Sequence, residues 1–195
     1  MRFFTSDLHL GHDRIIGFCD RPFYTVTQMN EALIERWNWV VGDDDEVWVL
    51  GDFCMPGHLN EALAELHRFN GRKVLVPGNH DKVWKGGKKR VEDDVYLDAG
   101  FSEILHGDVG LVRTTIYDRD VNLSHFPYGP TGRYDHRYSA WHHSNDGTWL
   151  LHGHIHSPAR YDPDYPNQIH IGVDAWGFMP ASEQEVYAIM EGHAL

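Results

Sequence analysis

Short apolar runs alternate with polar segments along the chain. Five of these runs contain two to four residues each, mostly aliphatic or aromatic, which is the pattern of short buried strands. They occupy residues 3–4, 47–50, 74–76, 121–123 and 149–151. A hairpin is predicted between residues 111–116 and 121–124, and further strands are predicted near Ile169 and Val186.

Two segments have helical periodicity instead. Before the first, Thr25 and Gln28 have the spacing of a capping box, and apolar residues then recur every three or four positions up to Gly42. The second spans residues 59–69 with the same spacing. The first half of the chain thus alternates strand and helix, whereas the second half is mostly strand. This order predicts a single α/β (α+β) domain over residues 1–195, with two packed sheets covered by helices.

Acidic, amide and imidazole side chains follow the ends of the predicted strands. The candidate metal ligands are Asp7, His9, Asp52, Asn79, His125, His154 and His156. Because α/β proteins bind ligands at the carboxyl ends of their strands, we expect these side chains to meet at one sheet edge. His154 and His156 converge only if the backbone leaves regular strand geometry there, since alternate residues of a strand point to opposite faces.

The residue types in this series indicate a catalytic metal site. Carboxylate, amide and imidazole ligands suit Mn²⁺, Fe, Zn²⁺ or Ni²⁺, and no cysteine occurs in the series to suggest a structural thiolate site. Seven ligands exceed the need of one ion, but they suit two ions about 3.5 to 4 Å apart that share a carboxylate. Asp52 is the expected bridge.

The ordered series Asp-x-His, Gly-Asp, Gly-Asn-His-Asp, a lone His and Gly-His-x-His resembles the calcineurin-like metallophosphoesterase superfamily, over residues 7–156. This resemblance implies a four-layer αββα sandwich in which helices flank two mixed β-sheets. It also implies two divalent ions, with Mn²⁺ as the first choice and Fe, Ni²⁺ or Zn²⁺ as alternatives. By the same resemblance, one ion is held by Asp7, His9, Asp52 and His156, and the other by Asp52, Asn79, His125 and His154.

His80 binds no metal in this scheme. The resemblance implies that His80 contacts the phosphoryl oxygens or protonates the leaving group, and that Asp81 orients its ring. The chemistry agrees, because a phosphate ester is anionic and needs charge neutralisation, an activated water and help for its leaving oxygen. Two divalent ions meet the first two needs, and an imidazole that titrates near neutral pH meets the third. The expected activity is hydrolysis of phosphodiesters or small nucleotide phosphate esters, with diesters favoured over monoesters.

Two further tracts narrow the resemblance to one branch of the superfamily. Residues 11–23, from Gly11-His12 to Arg21-Pro22-Phe23, and residues 172–176 resemble a small single-domain bacterial and phage branch of the superfamily. Within the first tract, His12 follows the first metal motif closely. It is a candidate substrate-binding residue, the alternative being a loop histidine with a local partner.

Residues 128–145 are the candidate specificity loop, because they lie between His125 and His154 and lack periodicity. Arg133 is a candidate for binding a second phosphate or a nucleotide, since guanidinium groups match phosphate oxygens. The alternative is an ion pair with a neighbour such as Asp135. Three aromatic residues either stack on a nucleobase or lie in the core: Tyr128, Trp141 and Trp176.

Composition limits the possible partners. The chain has 195 residues, 42% of them hydrophobic, which is enough for one core without disulfides between its two cysteines. The formal net charge of −12 disfavours binding to long nucleic acid. The start of the chain lacks the pattern of a signal peptide, and no apolar run is long enough to span a membrane. We therefore expect a cytoplasmic protein that acts on a small phosphate ester or nucleotide, with a homodimer as a further possibility.

Two alternative functions remain open on these residues. A nuclease acting on single-stranded nucleic acid ends has the same metal motifs. A non-catalytic, metal-dependent scaffold for protein partners has them as well, but such superfamily members usually lack the His of Gly-Asn-His, which is present here as His80.

Overall fold

The computed structural model describes residues 1–129 and 135–192. The first of its two sheets has the strand order β4-β3-β2-β1-β9. Its strands are β1 (Arg2–Thr5), β2 (Glu46–Val49), β3 (Arg72–Leu75), β4 (Phe101–Ile104) and β9 (Ala181–Ser182). Strands β1 to β4 are parallel, and β9 is antiparallel to β1. The loops that follow β1, β2 and β3 therefore leave the sheet at the same edge.

The second sheet has the order β5-β6-β7-β8. Its strands are β5 (Val112–Ile116), β6 (Arg119–Leu123), β7 (Trp149–His152) and β8 (Gln168–His170). The predicted hairpin is confirmed, since β5 and β6 pair antiparallel around Tyr117 and Asp118. Strands β6, β7 and β8 are parallel, so the loops after β6 and β7 also leave at one edge.

Five α-helices accompany the sheets in the described residues. They are α1 (Asp13–Phe18), α2 (Val26–Val40), α3 (Leu59–Glu65), α4 (Asp94–Leu97) and α5 (Glu183–Met190). Both predicted helices are confirmed, although the second ends in a 3₁₀ turn, Leu66–Arg68. The Thr25 side chain caps α2 by accepting from the Gln28 N–H, but the Gln28 side chain accepts from the Tyr24 N–H, so the capping box is only half formed.

The strand predicted near Val186 is wrong, because Val186 is a buried residue of helix α5. Ser182 and Glu185 form a complete capping box at the start of this helix. That local signal outweighs the β-branched side chain of Val186. Only Ala181 and Ser182, just before the helix, pair as a strand.

Two hydrophobic cores lie on opposite faces of the first sheet. Phe3 belongs to the core beneath helices α1 to α4, whereas its neighbour Phe4 belongs to the core between the two sheets, which also includes Val186 of α5. This division follows from the alternation of side chains along a strand. On the other face of the second sheet, Asn122 and Gln168 hydrogen-bond Tyr128. The expected pair of mixed sheets with helices is therefore present.

Over residues 1–129 and 135–192, no helix has both the length and the apolar character needed to cross a bilayer.

Candidate metal centre

The loops that follow the parallel strands are tied together by backbone hydrogen bonds. The N–H groups of Asp7 and His9 donate to the carbonyls of Gly51 and Asp52, each at 3.0 Å. The loop after β7 joins this group, because the N–H of His154 donates to both carboxylate oxygens of Asp7, at 3.0 and 3.2 Å. Both sheets therefore contribute side chains to one site, whereas the sequence predicted a site at the edge of one sheet.

Five of the seven candidate ligands have a left-handed backbone, which is uncommon for residues other than glycine. Their φ angles are 59° at Asp7, 53° at His9, 55° at Asp52, 72° at His154 and 50° at His156. Such strain clusters at functional sites when the surrounding structure holds it in place. It also explains how His154 and His156 face one site, since each lies outside regular strand geometry.

Asp52 lies at the middle of the cluster. Its Oδ2 atom is 3.5 Å from Nε2 of His9 and 3.4 Å from Nε2 of His125. On the other side, Asp7 Oδ1 is 3.8 Å from Nε2 of His156. These separations exceed those of hydrogen bonds, at about 2.7 to 3.2 Å. Two ligand atoms that each lie about 2.1 Å from one ion are separated by roughly 3 to 4 Å, so the geometry suits shared cations.

The ligand atoms form two groups of three that are close enough to hold one ion each. The first triad is Asp7, His9 and His156, and the second triad is Asp7, Asp52 and His125; within each, all ligand atoms lie within 4.8 Å of one another. Asp52 was the expected bridge, and its Oδ2 lies between His9 and His125. Asp7 belongs to both triads, so two carboxylates lie between the two positions.

Asn79 and His154 complete the cluster on the side of the second triad. The Asn79 Oδ1 atom is 3.1 Å from Nε2 of His125. The rings of His154 and His125 are 5.1 Å apart between centroids. The structure therefore brings all seven candidate ligands together, with Asn79 and His154 beside His125.

The environment of His9 supports a cation at the first triad. This side chain is buried, with 1% of its surface exposed, and neither ring nitrogen has a hydrogen-bond partner among the described residues. Buried imidazole nitrogens are normally satisfied, because the loss of hydration is otherwise uncompensated. A divalent ion would give His9 Nε2 the partner that it lacks, so the residues present fit such an ion.

The electrostatic environment sets the protonation states of Asp7, Asp52 and His9. Burial would raise the pKa of the Asp7 carboxyl, but His156 and His125 hold it well below its usual range. Burial likewise opposes ionisation of Asp52, whose pKa is held well below its usual range by His125. Burial lowers the pKa of His9 to about 3. Both carboxylates are therefore charged and His9 is neutral at pH 7, the protonation states that metal binding requires.

His125 and His156 are protonated in the metal-free protein. Burial opposes the charge on His125, but Asp52, Asp7 and the Leu50 carbonyl together raise its pKa to about 9. Burial also opposes the charge on His156, and Asp7 and Asp174 raise its pKa to about 11. Raised histidine pKa values stabilise the metal-free fold below the unfolded value of 6.5, and this stabilisation is lost as the pH rises through about 9.

Metal binding is therefore expected to release about two protons per chain at pH 8, because both imidazoles must be neutral to bind. Calorimetric titration with Mn²⁺ in buffers of different ionisation enthalpy measures this number. His125→Asn should release about one proton. A binding enthalpy that does not depend on the buffer would contradict the expectation.

His80 lies on the open side of the centre. Its Nε2 is 3.9 Å from Asp52 Oδ2, and 35% of its side chain is exposed. Its backbone N–H donates to Asp52 Oδ1 at 2.9 Å, which places the ring beside the metal ligands without making it part of either triad.

The expected role of Asp81 needs correction. Its buried carboxylate accepts hydrogen bonds from the N–H groups of Asp52, Phe53 and Gly78, at 2.8, 3.1 and 2.8 Å, rather than orienting the ring of His80. Burial and the neighbouring Asp52 carboxylate raise the pKa of Asp81 to about 7. Asp81 thus ties the loops after β2 and β3 together, and it acts on the site through Asp52.

Sequence reasoning assigned no role to three residues that contact the ligands. Ser6 Oγ donates to Asp7 Oδ2 at 2.5 Å. Asp174 accepts from Nδ1 of His156 at 2.9 Å, and Arg21 pairs with Asp174. The tracts 11–23 and 172–176 contain Arg21 and Asp174, and this was the one signal available from sequence.

The candidate substrate-binding residues have different outcomes. The ring of His12 lies 5.4 Å from that of His9, at the edge of the centre. Arg133 lies outside the described residues.

Two of the three aromatic residues lie in the core. Tyr128 and Trp176 are buried, and they donate hydrogen bonds to the carbonyls of Thr148 and His170 respectively. The third aromatic residue, Trp141, packs on Trp84 with ring centroids 4.7 Å apart.

Fold and site together define an α/β protein with buried acids and histidines gathered where parallel strands end. No protein-family model matches the chain. The gene 66 protein of Mycobacterium phage L5 is 35% identical over 199 residues, which cover 96% of this chain and 92% of the phage protein. The uncharacterized protein MJ1445 of Methanocaldococcus jannaschii is 31% identical, over 95% of this chain and 89% of that protein. The chain belongs to the family that contains these proteins.

A solved structure has the same overall fold. The protein of unknown function AQ665 from Aquifex aeolicus superposes with a TM-score of 0.70 at 25% identity, over 97% of this chain and 98% of its own. The phosphopantetheinyl hydrolase of Mycobacterium tuberculosis gives a TM-score of only 0.31 at 16% identity, too low to support a comparison.

Proposed function

We propose that the protein is a binuclear metal-dependent phosphoesterase with the calcineurin-like fold. The observation that carries this proposal is the position of Asp52 Oδ2, at 3.5 and 3.4 Å from the Nε2 atoms of His9 and His125. One carboxylate oxygen between two imidazoles, at distances too long for hydrogen bonds, suits a ligand shared by two ions. The unsatisfied ring nitrogens of buried His9 support the same proposal.

The ligands would hold two divalent ions, with Mn²⁺ as the first choice and Fe, Ni²⁺ or Zn²⁺ as alternatives. When bound, such ions neutralise phosphoryl charge and lower the pKa of a water nucleophile. His80 is the residue we assign to the leaving group. Its exposed imidazole beside Asp52 can donate a proton to the departing oxygen, while buried His9 is committed to metal binding.

We propose a phosphodiester or small nucleotide as the substrate. The formal charge of −12 opposes the approach of long nucleic acid, even with two divalent ions bound. A small ester needs only the metal centre and its open side, where the side chain of His80 is exposed. Cleavage of single-stranded nucleic acid ends and a non-catalytic scaffold role are the outcomes against which the proposal is tested.

The test compares hydrolysis of bis-p-nitrophenyl phosphate and p-nitrophenyl phosphate by protein that has been stripped with a chelator. We expect activity to be absent after stripping and to return with Mn²⁺. Activation of the water nucleophile and neutralisation of the phosphoryl charge both depend on the bound ions. The diester is expected to be the better substrate, and the ratio of the two rates measures that preference.

Asp52→Asn is the matched control, since it keeps the shape of the side chain and removes the shared charge. Activity that survives in this variant comes from a contaminating phosphatase or from another site, and it would count against the proposal. Absence of hydrolysis with each of Mn²⁺, Ni²⁺, Fe²⁺ and Zn²⁺, with both model esters and with a small panel of nucleotides, would favour the scaffold.

A further inference from the structure

A buried arginine lies behind the first triad. No part of the Arg21 side chain is exposed. Its Nη2 donates to the carbonyl of Asp7 at 2.7 Å, and its Nη1 donates to the carbonyl of Leu8 at 3.1 Å. These carbonyls belong to the turn in which Asp7 and His9 both have left-handed φ angles. Arg21 therefore stabilises the strained turn that directs two metal ligands into the site.

The same guanidinium reaches the third ligand through a carboxylate. Nε and Nη2 of Arg21 donate to Oδ1 and Oδ2 of Asp174 at 2.8 and 3.0 Å, which is a bidentate pair. Asp174 Oδ2 lies 2.9 Å from Nδ1 of His156. A carboxylate at Nδ1 fixes the ring orientation and the tautomer that leaves Nε2 free to bind metal.

The second triad is supported in a different way. Nδ1 of His125 faces the backbone carbonyl of Leu50 at 2.9 Å, and Asp81 holds the backbone of Asp52. Arg21 and Asp174 have no hydrogen bond to Asp52 or His125 among the described contacts. His156 belongs only to the first triad, so removal of Asp174 should act on that metal position. Arg21 also holds the backbone carbonyl of Asp7, which belongs to both triads.

We propose that Asp174 is a positioning residue that sets the metal affinity of the first triad through His156, and that Arg21 supports the same triad by holding Asp174 and the turn of Asp7 and His9. This inference rests on the proposed metal centre, and it goes beyond that proposal by assigning the first ion a support that the second does not share, the carboxylate of Asp174. One ion pair thus contacts both the backbone of the Asp7 turn and the ring of His156, about 150 positions later in the sequence.

Calorimetric titration with Mn²⁺ tests the proposal in Asp174→Asn and Arg21→Lys. The first variant keeps the shape of the side chain without its charge, and the second keeps the charge without the forked donors. In Asp174→Asn we expect one of the two sites to weaken by about 10- to 100-fold, the usual cost of removing a partner of a ligating histidine, while the other site keeps its wild-type affinity. Arg21→Lys should weaken the same site at least as much, because Arg21 also holds the turn that contains Asp7 and His9.

A double-mutant cycle separates positioning from general stability. His156→Ala removes the ligand that Asp174 orients. If Asp174 acts through His156, then Asp174→Asn should weaken the first site much less in the His156→Ala background than in the wild type. In the His125→Ala background, by contrast, Asp174→Asn should weaken the remaining ion by the full factor.

Two matched variants control for charge and for local structure. Glu183→Gln removes a carboxylate that pairs with Arg2 outside the metal centre, and Arg160→Lys changes an arginine that packs on Trp176. Neither should alter Mn²⁺ binding. Unchanged affinities in both test variants, or equal weakening of both sites in Asp174→Asn, would overturn the inference. Wild-type protein that binds no divalent ion would instead overturn the proposed function itself.

Discussion

Replacing His80 by alanine is expected to lower turnover by about 100- to 10,000-fold while both ions stay bound, because His80 acts as a proton donor and not as a ligand. Its Nε2 is 3.9 Å from Asp52 Oδ2, and its ring is outside both triads. The measurement is kcat for diester hydrolysis beside the metal content of the same preparation. Metal content should remain at the wild-type value.

The leaving group gives this prediction a second signature. p-Nitrophenolate departs readily without protonation, whereas a nucleoside or alkyl oxygen needs a proton. The loss in His80→Ala should therefore be smaller for p-nitrophenyl esters than for nucleotide esters. His67→Ala, at an exposed histidine that bonds the carbonyl of Ala64, is the matched control and should retain wild-type turnover. Equal loss of metal would make His80 a ligand, and unchanged turnover would favour the scaffold.

Much of the site could be predicted from sequence because its parts are local. Each ligand follows a short apolar run, and parallel strands bring the ends of such runs to one edge. The pairing of Asp7 with Asp52 required no information beyond this rule, because both follow parallel strands of the first sheet. His125 follows β6 of the second sheet, so its position also depends on how the two sheets pack. The helix that begins after Thr25 was predictable for the same reason, since its cap and its apolar spacing lie within one segment.

Features that depend on distant contacts could not be predicted in this way. Arg21 and Asp174 are 153 positions apart, and only the fold shows that they share one ion pair. The family resemblance implied that Asp81 orients the ring of His80. Instead, the Asp81 carboxylate accepts hydrogen bonds from the N–H groups of Asp52 and Phe53, about 30 positions earlier. Backbone hydrogen bonding across loops leaves no pattern in the sequence.

Replacing Gly78 by alanine is expected to remove the ion of the second triad and to lower turnover at least about 100-fold, since small displacements of a catalytic centre have costs of this size. A Cβ at this position would lie 2.4 Å from Asp52 Oδ1 and 2.8 Å from Nδ1 of His125. The φ angle of Gly78 is not left-handed, so the backbone accepts alanine and the conflict is one of space. Asp52 and His125 must move apart to admit the methyl group.

Metal analysis of Gly78→Ala should show about one ion per chain instead of two, because the atoms nearest to the added methyl group belong to Asp52 and His125, and the first position keeps Asp7, His9 and His156. Gly57→Ala is the matched control, since a Cβ there has no atom within 4 Å and its φ is also not left-handed. This control should keep two ions and full turnover. Loss of both ions from Gly78→Ala would show that the two positions fill only together, and retention of both with normal turnover would show that Asp52 is not shared. Asp174→Asn should weaken the first triad, and Gly78→Ala should empty the second. Comparing the two variants tests whether different residues support the two ions.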